Sequence, residues 1–333
     1  MDPSELIPPL TCEAYKGQHG KVGIVGGCAE YTGAPYYAGM AALKTGVDLC
    51  HIFCTPEAGI PIKCYSPELI VHPYLGMSTN DRILAVLPRL DALILGPGLG
   101  RDPNVLNATK SILTAATELR LPLVLDGDAL YLLATDVTLL RNYSNAILTP
   151  NAMEYGRLCV ALGLTDALDV TGAASISAHD VAAALGHVTV LQKGAVDTIS
   201  DGYSSSTQDR FPMYRRCGGQ GDVHVPSSQR RAHARCALGP GGMRWCVSRV
   251  GCQSWVRQDL IDFLTWFSYS VVHPSKRKTA PRPLPSMLRL AAYGGSLVTR
   301  KSASIAFDRH GRATTTPDIL ASIHDGFDGL FKT

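Results

Sequence analysis

The chain has 333 residues, of which 46% are hydrophobic and 18% charged, and its formal net charge is +3. That size and apolar content suit one large α/β unit or two ordinary ones, and exclude a disordered chain. The longest apolar candidate, 263–272, is ten residues and far short of a bilayer crossing.

The N-terminal MDPSELIPPL has no basic residue before its apolar ones, so it predicts neither secretion nor organelle import. Ten cysteines without a C-x-x-C pair predict reduced thiols in a cytoplasmic protein rather than a zinc site or a disulfide framework. The charge is uneven. Residues 223–289 hold eleven Lys/Arg against Asp259 and Asp262, a local charge of +9 that leaves −6 on the rest.

In chain order, 21–27 reads as a buried strand ending in a glycine turn, followed by a helix with Pro35 in its first turn. Residues 48–54, 68–72, 91–95, 121–125, 146–149 and 188–192 read as further strands. Residues 104–119 and 153–162 read as helices, and 196–200 as the return strand of a hairpin. Short apolar strands alternating with helices predict a mostly parallel sheet covered on both faces. Ligands gather at the carboxyl ends of such strands. Gly26-Gly27, Gly96 to Gly100, Asp126 to Asp128, Asn151 to Glu154 and Lys193-Gly194 all fall at strand ends, so together they outline a site.

Cys217-Gly218-Gly219-Gln220-Gly221-Asp222 reads either as a surface turn or as an anion nest with a carboxylate base behind it. No G-x-x-x-x-G-K-[ST] or G-x-G-x-x-G occurs, which disfavours a simple P-loop enzyme or a Rossmann dehydrogenase.

These clusters stand in a fixed order with Lys16-Gly17-Gln18-His19-Gly20-Lys21, Tyr31 to Tyr37, Tyr65-Ser66-Pro67-Glu68 and Leu148-Thr149-Pro150-Asn151. The whole set resembles the ATP-dependent NAD(P)H-hydrate dehydratase family of eukaryotic type, on a ribokinase-like α/β fold. The match runs from about Lys16 to Asp222 and returns at Leu290-Ala291-Ala292-Tyr293-Gly294 and Arg312 to Asp318. The resemblance implies a single domain over 16–333 behind a short N-terminal extension. It also implies a lyase that uses ATP and Mg²⁺ to dehydrate the S epimer of hydrated NADH or NADPH, alongside an NAD(P)H-hydrate epimerase. A homo-oligomer is compatible with it.

By position, the resemblance implies that Asp222 is the catalytic base. Gly100, Asn151, Ala152, Met153, Glu154, Tyr155, Gly156, Arg157 and Asp222 would meet the hydrated dinucleotide. Lys193, Gly194, Ala195, Val196 and Asp197 would meet ATP, with Pro212, Met213, Tyr214, Arg215, Arg216, Cys217, Gly218, Gly219, Gln220 and Gly221. Local chemistry offers other roles. Asn151 with Glu154 suits a helix cap, and Lys193 suits either a phosphate contact or a solvated strand end. Tyr36 and Tyr37 suit helix packing, while Asp126 and Asp128 suit metal binding or capping.

After Asp222 the family pattern gives way to VHVPSSQRRAHARCALGPGG, without helical periodicity, and resumes near Leu288. The abrupt change points to a frame slip or an unspliced insert, which sequencing the transcript tests. Its scattered arginines are read in that light rather than as a nucleic-acid face. A base deprived of the helix behind it, and a core that loses part of its cover, predict weak or absent turnover and poor stability. The competing readings are a ribokinase-like kinase whose product is a stable phosphate ester, and an inactive nucleotide-binding homologue.

Overall fold

The computed structural model describes residues 2–7, 12–13, 15–78, 80–166, 175–211 and 284–331. The strands among them are β1 (Lys21–Val25), β2 (Leu49–Phe53), β3 (Ile70–His72), β4 (Ala92–Leu95), β5 (Leu123–Leu125), β6 (Ala146–Leu148), β7 (Thr189–Gln192), β8 (Asp197–Ser200) and β9 (Ser205–Gln208). They form one sheet in the order β3-β2-β1-β4-β5-β6-β7-β8-β9. Neighbours from β3 through β7 run parallel, while β7–β8 and β8–β9 are antiparallel.

The helices are α1 (Gly33–Lys44), α2 (Pro56–Tyr65), α3 (Asp81–Leu84), α4 (Pro103–Glu118), α5 (Asp128–Thr135), α6 (Ala152–Ala161), α7 (Ala178–Ala184), α8 (Leu284–His310), α9 (Thr316–Ala321) and α10 (Ile323–Phe331). Alternate strand residues feed two separate cores. Val22, Ile24, Cys50 and Ile52 pack with residues of α1, α2 and α8 on one face of the sheet. Val25, Phe53, Leu93 and Leu95 pack with residues of α3 to α7 on the other. Burial on both faces explains why strands such as Ala-Leu-Ile-Leu at β4 are apolar throughout.

The expected strands and helices form within a few residues of their expected limits, and the return strand at β8 pairs antiparallel with β7. Several elements go beyond the expectation, and α2, α7 and β9 show why. α2 carries Gly59 and Pro61, which break a helical pattern in the sequence. Thr55 precedes it in extended conformation, Pro56 sits in its first turn, and it buries Ala58, Gly59 and Ile62. α7 is only seven residues long and starts at a Ser177–Asp180 capping box. β9, Ser-Ser-Thr-Gln, has no apolar alternation, yet its backbone pairs with β8 at four positions.

The Lys16–Lys21 motif lies at the amino ends of the strands, across the sheet from the glycine loops. There the Asp48 carboxylate accepts from the amides of Gly17 (2.7 Å) and His19 (3.0 Å), and Asp91 accepts from that of Lys21 (2.7 Å). Partly buried amides need partners, and with them satisfied this motif closes the amino edge. Among the described residues no helix is long and apolar enough to cross a membrane, and the described cysteines are all free.

At the far end of the chain, two arginines dock α8 on the antiparallel strands. Arg289 donates from Nε to Asp201 (3.0 Å) and from Nη1 to Ser206 Oγ (2.9 Å), and Arg300 pairs with Asp197. Eleven residues separate the two arginines, close to three helical turns, so they share one face of α8.

Candidate active site

The order of strands reverses between β1 and β4, the switch point at which open α/β sheets hold their ligands beyond the carboxyl ends. Two glycine loops meet there. The Gly27 amide donates to the carbonyls of Pro97 (3.0 Å) and Gly98 (3.1 Å), and the Gly96 amide donates to Val25 O (2.9 Å). Gly96 takes φ +115°, and a Cβ there would lie 1.8 Å from Asp126 O, so only glycine fits between the ends of β4 and β5. Gly100, expected on the dinucleotide side, donates its amide to Asp128 Oδ2 (3.1 Å). Arg101 Nε donates to Asp128 Oδ1 (3.0 Å), and its guanidinium lies 4.2 Å from the centre of the Tyr131 ring. The Cys28 thiol sits beside Gly100, and burial and then the nearby Glu30 carboxylate raise its pKa.

The ends of β5, β6 and β7 converge on one carboxylate. Asp126 Oδ1 accepts from Lys193 Nζ (2.6 Å) and from Thr149 Oγ1 (2.8 Å), while the Lys193 amide donates to Pro150 O (3.0 Å). The side chains of Lys193 and Asp126 are only 2% and 3% exposed. Lys193 is therefore no solvated strand-end lysine; its ammonium is committed to a buried ion pair.

Asp126 and Asp128 do not cap α5 either. The residue before that helix in the capping position is Gly127, and no side chain caps it. Among the described residues, no group of three or more His, Cys, Asp or Glu could hold a metal ion.

Next along the same edge, α6 begins at the expected cap. Asn151 Oδ1 accepts from the amides of Met153 (3.0 Å) and Glu154 (2.9 Å), and Glu154 Oε2 accepts from the Asn151 amide (2.8 Å). Of the segment expected against the dinucleotide, Asn151, Glu154, Tyr155 and Gly156 are buried, Ala152 and Arg157 are half-buried, and Met153 is exposed. Burial pushes the Tyr155 hydroxyl pKa up, and that hydroxyl donates to Ile176 O (3.0 Å). Tyr155 thus supports the segment from below. Tyr36 and Tyr37 are half-buried against the core of α1, as expected for packing, and Tyr36 also meets Tyr65 with ring centres 5.2 Å apart.

After β7 the loop Lys193–Asp197 has a buried residue at each end and exposed Ala195 and Val196 at its tip. Asp197, expected on the ATP side, is fully buried. Its Oδ1 accepts from the Gly194 amide (2.9 Å) and Arg300 Nη2 (2.9 Å), and its Oδ2 from Ser296 Oγ (2.7 Å) and Arg300 Nε (3.0 Å). The sequence reading missed Ser296 and Arg300. Their signal was a polar pair four residues apart, on the face of α8 that also carries Arg289. The expected base Asp222, the Gly218–Gly221 nest and Pro212 to Cys217 lie outside the described residues.

Comparisons with known proteins agree with this arrangement. The family model described as NAD(P)H-hydrate dehydratase matches residues 22–225. The ATP-dependent (S)-NAD(P)H-hydrate dehydratase of Bos taurus is 42% identical over 330 residues, covering 98% of this chain and 87% of that protein. The protein of the same name from Homo sapiens is 39% identical over 331 residues, covering 98% and 83%. In three dimensions, a ribokinase-like superfamily protein from Enterococcus faecalis matches with TM-score 0.66 at 16% identity, over 100% of this chain and 96% of that one. An ADP/ATP-dependent NAD(P)H-hydrate dehydratase from Bacillus subtilis, co-crystallised with ATP/Mg²⁺, matches with TM-score 0.59 at 16% identity, over 98% and 96%. The fold is ribokinase-like, and the chain belongs to the ATP-dependent (S)-NAD(P)H-hydrate dehydratase family.

Proposed function

We propose that this chain restores NADH or NADPH from its S hydrate at the expense of ATP. In this reading Asp222 takes the proton of the ring hydroxyl as its oxygen attacks the γ-phosphorus, and ADP leaves. The carbon–oxygen bond of the resulting ester then breaks, phosphate departs, and loss of a ring proton restores the double bond. Hydroxide is a poor leaving group and phosphate a good one, which is what the ATP accomplishes. The amides of Gly218 to Gly221 would stabilise charge on the transferred group. Mg²⁺ would reach the site on the triphosphate, the usual way this hard cation binds.

The observation that carries this reading is the continuous run of loops at the carboxyl ends of β1, β4, β5, β6 and β7. They are adjacent in the sheet, with the switch point at one end and the Lys193–Asp197 loop at the other. We read this edge as the place where both ligands bind. The hydrated dinucleotide would lie along Gly100 and Asn151 to Arg157, with ATP along Lys193 to Asp197. We place the enzyme in the cytoplasm, working alongside an NAD(P)H-hydrate epimerase. The buried free thiols of Cys50 and Cys54, whose pKa burial pushes up to about 12, fit a reducing compartment.

The test is to add S-hydrated NADH and ATP to the purified chain. Phosphate should appear in step with reduced-nicotinamide absorbance. A stable phosphate ester would instead mark a kinase, and nucleotide binding with neither product would mark an inactive homologue. Turnover as fast as that of a relative would show that residues 223–289 support Asp222 after all.

A further inference from the structure

We propose that Arg300 is a positioning residue for the nucleotide. Through Asp197 it holds the peptide of Gly194 in one orientation and so presents the Ala195–Val196 tip to ATP. The proposal rests on the reading that this loop is the ATP side.

The geometry is specific. Arg300 reaches back 103 residues to Asp197 with two donors, Nε to Oδ2 (3.0 Å) and Nη2 to Oδ1 (2.9 Å). The same Nη2 also donates to the carbonyl of Gly194 (3.0 Å), while the Gly194 amide donates to Asp197 Oδ1 (2.9 Å). Both polar groups of Gly194 are thereby held by one buried pair. A Cβ on Gly194 would lie 2.5 Å from Val196 O, so the turn closes as tightly as glycine allows. Ser296, one turn earlier on α8, adds a hydrogen bond to Asp197 Oδ2 (2.7 Å) and helps to fix the carboxylate.

The physical consequence is a loop with a rigid base and an exposed tip. Arg300 and Asp197 are 1% and 0% exposed, so neither side chain meets ligand directly. Val196 is 46% exposed, an apolar side chain standing at the carboxyl edge with nothing polar to offer. It suits an uncharged planar surface such as a purine ring. A forked guanidinium can hold two carboxylate oxygens and a carbonyl together, whereas a lysine ammonium, as a point charge, cannot span them. Holding a loop in its bound geometry improves affinity by removing the ordering cost from binding.

The experiment measures the ATP Kd of the full chain by calorimetry, and the KM for ATP and for the S hydrate separately, in Arg300→Lys and Ser296→Ala. In Arg300→Lys we expect the Kd and KM for ATP to rise at least about tenfold with the hydrate KM within about twofold of the parent. Ser296→Ala, which keeps the ion pair, should move ATP binding in the same direction by about threefold. A purely structural role would lower Tm and the active fraction and leave the ATP Kd of folded protein unchanged; that result overturns the proposal. If Arg300→Lys does not fold, an unaltered ATP Kd in Ser296→Ala and in Gly194→Ala overturns it equally. A parent chain that binds ATP but does not turn over S hydrate would sink the dehydratase reading alone, leaving the proposal to stand or fall on Kd. A parent chain that binds no ATP would sink both.

Discussion

Lys193 and Asp126 form a buried ion pair, Nζ to Oδ1 at 2.6 Å, that joins the ends of two strands 67 residues apart in the chain. Thr149, from the strand between them, donates to the same oxygen. Three adjacent strands therefore present their carboxyl ends as one rigid edge. Breaking such a pair from one side leaves a buried charge without its partner. Lys193→Met should therefore cost about 3–5 kcal/mol of stability. Urea unfolding of the variant beside its parent gives the number, and a change below about 1 kcal/mol would contradict the burial of this pair.

Gly96→Ala should be among the most damaging single changes near the site. The added methyl would meet Asp126 O at 1.8 Å, and the backbone is held at φ +115°. Relief requires β4 and β5 to part at their carboxyl ends, at a cost of at least about 3 kcal/mol. Thermal unfolding reads the stability loss. Binding of the hydrated dinucleotide should weaken more than binding of ATP, because the displaced loop is the one that carries Gly100.

Asn151→Ala removes the oxygen that accepts two amides at the start of α6. Loss of the cap should cost about 1 kcal/mol. A larger rise in KM for the hydrate than for ATP would add a binding role to the capping one. Asn151→Asp, which restores the acceptor, should recover the stability.

His51 and His72 stand side by side on β2 and β3, His51 Nδ1 to His72 Nε2 at 3.0 Å. Burial, and then the neighbouring His72, Lys21 and Arg89, depress the His51 pKa to about 4 from its ordinary 6.5. Burial also lowers that of His72. The unfolded chain then binds more protons than the folded one between these values. Stability should be fully present above about pH 6.5 and fall as the pH drops toward 4. His51→Gln should flatten that slope in acid-unfolding curves, and an unchanged slope would refute the assignment.

Asp222→Ala should abolish turnover of the S hydrate and leave ATP binding largely intact, because the carboxylate is assigned to the hydroxyl proton and not to the nucleotide. Single-turnover phosphate release together with calorimetry separates the two. A variant retaining more than about one hundredth of parent activity would show that another group takes the proton.

The sequence by itself determined the layered α/β plan and the strand-end position of the clusters that make up the candidate site. Apolar runs too short for helices could only be strands buried on both faces, and each ended in glycine or polar residues that cannot continue a strand. The capping box at Asn151 and Glu154 was legible because it depends on residues three apart. Strand order was not, and from it followed what only the tertiary structure decided. Lys193 faces Asp126 instead of solvent because β5, β6 and β7 lie side by side. Arg300 closes the Lys193–Asp197 loop because α8 packs beneath the antiparallel strands. Lys16 to Lys21, whose role the sequence left open, closes the opposite edge because Asp48 and Asp91 wait at the amino ends of their strands. Local spacing encodes backbone conformation; the pairing of charges distant in sequence depends on which strands become neighbours, and that is settled by burying both faces of the sheet.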